Sequence, residues 1–415
     1  MNPTNPNQTL IGPFRQILTM DNLPVAGPIA DVQLQVLEQG GVLVQGGKIK
    51  KTGKYEQLHR EAIDFKYKLE LIREPMVLLP GLIDAHTHIC FAGSRANDYA
   101  LRVAGKSYME IARNGGGILE SVRRTRDATK VELVELLKKR CDRHLAEGVT
   151  TCEVKSGYGL TIEEELKILE TIRLVDKHHA LDLVPTCLAA HMLPPEFTDA
   201  KAYLQHVLAE LLPQVLEQNL AARVDIFVED TAFTEEVAID YLLEARDLGF
   251  DITVHADQFS TGGSKVAVET GAVSADHLEA STEAEIAFMQ EAGTVATVLP
   301  GASLGLGMPY APARKMLDGG LCLAIATDWN PGSAPMGDLL LQAALLGASE
   351  KLTTAETFAA ITRRAARALN LTDRGALTKG KLADMIAFPT DNFKEILYFQ
   401  GKLKPSIVWK KGTKV

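Results

Sequence analysis

Cysteine is scarce in this chain of 415 residues. There are five, Cys90, Cys141, Cys152, Cys187 and Cys322, widely scattered and without a CxxC pair. An odd, sparse set of that kind excludes a disulfide framework and reads as reduced thiols, which points to the cytoplasm. Long basic runs are missing too, and the net charge is −9. That excludes nucleic acid and anionic membrane as expected partners. No apolar run reaches the length of a membrane span. The start, Met1-Asn2-Pro3-Thr4-Asn5-Pro6, has neither the basic beginning nor the apolar middle of a secretory signal. Low-complexity stretches and internal repeats are also lacking. What remains is an ordinary globular composition, 46% apolar and 23% charged, in a chain long enough for a large core.

The most informative segment is Leu79-Pro80-Gly81-Leu82-Ile83-Asp84-Ala85-His86-Thr87-His88. Leu82 and Ile83 read as a short buried strand, on which residues i and i+2 face the same way. His86 and His88 can therefore aim two imidazoles at one point, which is half of a zinc or iron site. Cys90 is close by; a small buried residue is expected there rather than a ligand.

From Pro80 to about Leu371 short apolar runs alternate with amphipathic helices. Capping boxes, Thr followed three residues later by Glu, open helices at Thr129, Thr161, Thr282 and Thr353, and Thr234 opens another. Strands are expected at Gly81–His86, Val149–Val154, Leu183–Leu188, Val224–Val228, Asp251–His255, Ala272–His277, Thr294–Val298 and Leu321–Thr327. Eight strands with helices between them make an α/β fold, a (β/α)8 TIM-like barrel over residues 80–374. The flanks, 1–79 and 375–415, read as antiparallel strands, and neither is long enough for a sheet domain of its own. They are expected to combine into one small composite β-sandwich domain built from both chain ends.

A barrel of this kind works at the C-terminal ends of its strands. The polar residues there are His86, His88, Glu153, Lys155, His191, Glu229, His255, His277 and Asp328. Five of the ten histidines fall on that rim, whereas His144, His178, His179 and His206 read as helix and surface residues. The expected metal ligands are His86, His88, His255 and Asp328. Three histidines and a carboxylate leave one position for water, the open form of a catalytic site. A metal would lower the pKa of that water from ~16 to ~7. Asp328 could also take the water's proton and deliver it to a leaving nitrogen. His277 could relay a proton or polarise a carbonyl, or be merely structural.

Several further motifs occur in order along the barrel: Phe91-Ala92-Gly93-Ser94-Arg95, Gly115-Gly116-Gly117-Ile118, Glu153-Val154-Lys155-Ser156-Gly157-Tyr158-Gly159, Ala189-Ala190-His191, His255-Ala256-Asp257-Gln258, Ser274-Ala275-Asp276-His277-Leu278 and Asp328-Trp329-Asn330-Pro331-Gly332-Ser333. With Pro80–His88 they resemble the amidohydrolase superfamily and, within it, the imidazolonepropionase family. The resemblance implies a cytoplasmic, metal-dependent cyclic amidohydrolase of histidine degradation. It would convert 4-imidazolone-5-propanoate to N-formimidoyl-L-glutamate, with one Zn2+ or Fe3+ per subunit, as a homodimer. It carries the metal ligands onto His86, His88, His255 and Asp328. Substrate contacts carry over to Arg95, Tyr158, His191, Gln258, Asn330, Gly332 and Ser333.

The chemistry of these residues agrees. Arg95 is a fork donor suited to a propionate tail. Tyr158, between Gly157 and Gly159, belongs on a rim loop. Gly115-Gly116-Gly117 reads as a flexible loop or lid. Deaminases of the superfamily carry Glu where this chain has Gln258, and an amide cannot pass a proton at neutral pH. Proton handling therefore shifts to Asp328 and His277. Other cyclic-amide hydrolases and a non-catalytic barrel are the competing readings.

Overall fold

The computed structural model describes residues 5–106, 110 and 115–415. Among the described residues, sixteen strands fall into two sheets of eight. The first is built from β1 (Asn5–Leu18), β2 (Val36–Gln45), β3 (Lys48–Lys54), β4 (Tyr67–Leu71) and β5 (Val77–Pro80). It is completed from the far end of the chain. The second runs in sequence order through β6 (Leu82–Asp84), β7 (Val149–Lys155), β8 (Asp182–Ala190), β9 (Arg223–Ile226), β10 (Asp251–Ala256), β11 (Ser274–His277), β12 (Val295–Val298) and β13 (Leu323–Ile325). The late strands β14 (Met385–Phe388), β15 (Ile407–Lys410) and β16 (Thr413–Lys414) return to the first sheet.

Every neighbouring pair in the second sheet is parallel. Between its first and last strands, Thr87 bridges Trp329, the His88 amide donates to the Trp329 carbonyl at 3.0 Å, and the Asp328 amide donates to the His86 carbonyl at 3.0 Å. The sheet thereby closes into the (β/α)8 barrel. Its strands read as unbroken apolar or β-branched runs because helices cover the outside and side chains fill the inside. β7, β9, β11, β12 and β13 are buried along their whole length.

The helices begin where the capping chemistry requires. Thr129, Thr282 and Thr353 each close a full capping box with the Glu three residues on, and the Thr161 hydroxyl accepts from the Glu164 amide. Thr234 precedes the helix Glu235–Asp247 but its side chain makes no capping bond. Gly293 ends the helix Glu283–Ala292 in the left-handed conformation that a residue without Cβ adopts at little cost.

In the first sheet the order is β16-β15-β14-β5-β1-β2-β3, with β4 also on β1. The register of β1 against β2 shifts between Ile11 and Phe14, so its first half pairs with β4 and its second half with β5. One side of this sheet, with Leu18, Val77, Leu79, Ile386 and Phe388, joins the barrel core. The other side encloses a separate core around Phe14, Val42, Leu78, Met385 and Trp409. Gly81 alone separates β5 from β6, and its amide donates to the Asp384 carbonyl at 2.9 Å. The strand leading to His86 is thus continuous with a sheet made from both ends of the chain.

Trp409 is fully buried, sits edge-on to Phe14 at 6.0 Å between ring centroids, and donates from Nε1 to Glu70 at 2.8 Å. Trp409→Ala should lower stability by about 3–5 kcal/mol, the usual cost of emptying a large aromatic site. Urea unfolding would measure it, and a loss under ~1 kcal/mol would mean the second core contributes little.

Candidate active site

The ends of three barrel strands gather three donor atoms around a fourth, His88 Nε2. His86 and His88 follow β6, His255 lies on β10 and Asp328 follows β13. His88 Nε2 is 3.2 Å from His86 Nε2 and 3.3 Å from His255 Nε2. Asp328 Oδ1 lies 3.4 Å from His88 Nε2 and 3.6 Å from His86 Nε2. All four side chains are buried.

Electrostatics explain why such a group calls for a cation. His86 Nδ1 donates to Asp276 Oδ2 at 2.7 Å, and His255 Nδ1 is 2.8 Å from Asp225 Oδ2. A carboxylate behind Nδ1 fixes the proton there and leaves Nε2 as a bare lone pair. Burial, with Lys155 and neighbouring histidines adding to it, holds His86 well below the ordinary histidine pKa. Burial, with His191 and His86, does the same for His88. Lone pairs of neutral rings at 3.2–3.3 Å repel one another, and a positive ion among them removes that repulsion. The donor set, three imidazole nitrogens and a carboxylate oxygen, fits a catalytic zinc or iron.

The carboxylates behind the histidines were not assigned from the sequence. Asp276 stands in the Ser-Ala-Asp-His motif, and Asp225 is the one charge in the otherwise apolar run Val224–Val228; that anomaly is the signal that could have exposed it. Both meet Lys155, whose Nζ lies 2.8 Å from Asp225, 2.9 Å from Glu153 and 3.7 Å from Asp276. Lys155 is wholly buried. It therefore faces the barrel interior behind the ligands and not the open rim. Burial opposes its charge, yet Asp225, Glu153 and Asp276 outweigh burial and raise its pKa. Burial works to raise Asp225, but His255 and Lys155 pull it below the usual carboxylate range.

His277 ends β11 with a positive φ of 89°, a conformation that non-glycine residues adopt only where surroundings enforce it. Its ring is 5.3 Å from that of His255 and 5.7 Å from that of His86. Glu279 Oε2 lies 3.5 Å from its Nδ1 and outweighs burial, raising the His277 pKa. Asp328 also has a positive φ, 51°. Burial pushes its carboxyl up to about 7, against the pull of His277.

Of the expected substrate residues, His191, Tyr158 and Ser333 lie directly against this group. The His191 ring stacks on His88 at 5.2 Å and 20°, and its Nδ1 contacts the Gly157 carbonyl at 3.0 Å. Tyr158 is 5.6 Å from His191 and 6.1 Å from His88 between ring centroids. Its loop is more buried than a rim position suggested, with Tyr158 only 3% exposed. The Arg95 guanidinium lies against Gly332, where a Cβ would fall 2.3 Å from Nη1, so a larger residue there would displace the tip of Arg95. Arg95 Nε also donates to Asp98 Oδ2 at 2.8 Å, and Asp98 accepts from the Gly117 amide at 2.8 Å. The Gly-rich segment begins the helix Ile118–Asp127 at Gly117, and residues 111–114 just before it lie outside the described residues.

Asn330 spends its amide inside its own turn. Its Nδ2 donates to the Asp328 carbonyl and Ser333 Oγ, and its Oδ1 accepts from the Gly332 and Ser333 amides. Ser333 Oγ in turn donates to Asp328 Oδ2 at 3.3 Å. The turn holds Asp328. Gln258 is buried just past β10, on a loop whose Phe259 and Ser260 amides donate to Glu229 at 2.7 and 3.0 Å.

Two expectations at the rim resolve clearly. Cys90 is a buried small residue whose thiol burial pushes up to about 12, which disfavours a ligand thiolate. His144, expected on a helix surface, is instead fully buried beside Asp84 at 3.3 Å and edge-on to Trp329 at 4.8 Å. Its helix turns that face inward against β6.

The amidohydrolase family profile matches residues 77–415. An imidazolonepropionase of Bacillus cytotoxicus is 41% identical over 96% of this chain and 94% of its own length. Another, of Bacillus mycoides, is 40% identical over 98% and 96%. The chain belongs to the imidazolonepropionase family. Among solved structures, an adenosine deaminase of Xanthomonas campestris with bound zinc superposes with a TM-score of 0.74 at 18% identity, covering 99% of this chain and 93% of that one. An Aspergillus niger ochratoxinase reaches 0.71 at 16% identity, covering 98% and 95%. At that identity these likenesses speak for the fold alone. No helix among the described residues is long and apolar enough to cross a membrane.

Glu165 fixes the Tyr158 loop of this family member. Its carboxylate accepts from the amides of Gly157 at 3.0 Å, Gly159 at 2.7 Å and Leu160 at 2.7 Å. Glu165→Ala strands three buried amides, each costing about 1–3 kcal/mol if left unpaired. The variant should melt well below the parent, and hydrogen exchange should quicken at residues 157–160. Unchanged exchange there would show that the loop holds itself.

Proposed function

We propose that this protein hydrolyses the cyclic amide C–N bond of 4-imidazolone-5-propanoate, giving N-formimidoyl-L-glutamate in histidine degradation. The observation that carries the reading is that His86, His255 and Asp328 each bring a donor atom within 3.4 Å of His88 Nε2, in a chain about 40% identical to imidazolonepropionases along nearly its whole length. One zinc or iron ion per subunit, held by those four residues, would acidify a water molecule to a pKa near ~7 and polarise a carbonyl oxygen. Either metal suits the donor set.

The chain's own residues do the rest. Arg95, set by Asp98 and seated on Gly332, pairs with the propionate carboxylate as a two-pronged donor. Tyr158, His191 and Gln258 line the ring's side of the pocket, and Asn330, Gly332 and Ser333 form the turn beneath it. Asp328 accepts the proton of the attacking water as general base. His277, backed by Glu279, donates toward the ring carbonyl oxygen as negative charge develops there. When the C–N bond breaks, Asp328 returns the proton to the departing ring nitrogen. Gln258, an amide, takes no part in proton transfer. We place the enzyme in the cytoplasm as a homodimer, on the strength of its reduced thiols and of the family resemblance.

Asp328→Ala should lower kcat by about 10²–10⁴ at least, the worth of a positioned general base. Loss of imidazolonepropionate absorbance reports it, and turnover at the parent rate would refute the mechanism. Arg95→Ala should raise KM for the propionate substrate far more than for an analogue lacking the tail; an equal effect on both would remove Arg95 from tail recognition. Protein purified without chelator should carry zinc or iron near one equivalent by elemental analysis. Near-zero content of both would favour a non-catalytic barrel.

A further inference from the structure

Lys155 is the last residue of the second barrel strand, β7. Its Nζ reaches three carboxylates at once, Asp225 at 2.8 Å, Glu153 at 2.9 Å and Asp276 at 3.7 Å. Two of these stand directly behind histidines of the four-residue cluster: Asp276 behind His86 and Asp225 behind His255. The third, Glu153, touches no histidine. It accepts from Thr186 Oγ1 at 2.5 Å and lies 3.8 Å from Arg223 Nε. Lys155, Glu153, Asp225 and Asp276 are all buried. Arg223 is the other cation bordering this cluster among the described residues.

We propose that Lys155 is a positioning residue for the metal: by spanning Asp225 and Asp276, it fixes the aim of His86 and His255. The argument rests on the metal reading of the four-residue cluster. Asp225 and Asp276 each back one ring, and Lys155 Nζ is the group that spans the two. Without it neither carboxylate is held in place, so each ring loses the support that aims its Nε2 at the cluster. Lys155 also ties β7 to β9 and β11 by their side chains, so the two histidines keep a common frame of reference.

The role is separable from a structural one, because it predicts metal affinity independently of turnover. Apo-protein would be titrated with Zn2+ against a chromophoric chelator, and folding of each apo form followed by circular dichroism and melting. Lys155→Met, similar in length but uncharged, should weaken Zn2+ binding about 10–100-fold, the usual cost of losing a group that orients a ligand. Its apo form should keep its circular dichroism. The double variant Glu153→Gln with Lys155→Met removes one charge of each sign and so protects the fold. It should bind Zn2+ with an affinity between those of the parent and Lys155→Met. Should Lys155→Met fail to fold, the double variant alone decides: weaker binding than the parent upholds the inference. Parent-like affinity in either folded variant overturns it and leaves Lys155 as a counter-charge to Glu153. A parent protein that binds no Zn2+ at all would instead overturn the metal reading, and this inference with it.

Discussion

Three imidazole nitrogens lie 3.2–3.3 Å apart along His86–His88–His255, in an interior with no bulk water to soften their repulsion. That crowding is the constraint on which the rest of the active site depends. Nothing local to the polymer produces it, since His88 and His255 are 167 residues apart. The barrel produces it by ending its parallel strands on one rim. The carboxylates then decide which nitrogen of each ring faces the centre. Asp276 and Asp225 take the Nδ1 side of His86 and His255, so the Nε2 lone pairs converge. The same low dielectric that makes the crowding costly makes a cation there strongly held.

Backbone geometry at the rim follows the same logic. His277 and Asp328 both sit at positive φ, a conformation that costs of order 1–3 kcal/mol for residues with a Cβ. The surroundings enforce it: the Asp328 amide is held by the His86 carbonyl, and the Asn330 turn clamps the residues that follow. Beneath the rim, the sheet from both chain ends runs into the barrel through Gly81. Lys410 adds a second tie, donating to Asp384 at 2.6 Å and to the Thr150 carbonyl at 2.8 Å. The strand that carries the histidine pair is therefore anchored at its lower end by β14 and at its upper end by the closure between Thr87 and Trp329.

Much of this was legible in the residues. The eight apolar runs match β6 to β13 to within a few residues, because a parallel strand covered on both faces leaves a continuous apolar mark. The capping boxes at Thr129, Thr282 and Thr353 mark helix starts because the signal is contained within four residues. Thr234 shows the limit of that logic, since its hydroxyl makes no cap although the helix begins beside it. His144 shows another limit: a histidine on an amphipathic helix reads as surface until the helix is docked, and only then does it meet Asp84. Asp98 behind Arg95 and Glu279 behind His277 were invisible as partners, because an acidic residue two or three positions further along the chain is too common to carry information.

The barrel, the sheet from both chain ends and the four residues of the cluster could be read from the residues alone, since strand period, run length and residue type belong to short segments. How those four are aimed came only with the fold. Asp276 stands behind His86 and Asp225 behind His255, with Lys155 between the two carboxylates, through contacts between strands that are distant in the chain. Burial sets the strength of those contacts, and burial is a property of the folded interior that no segment possesses alone.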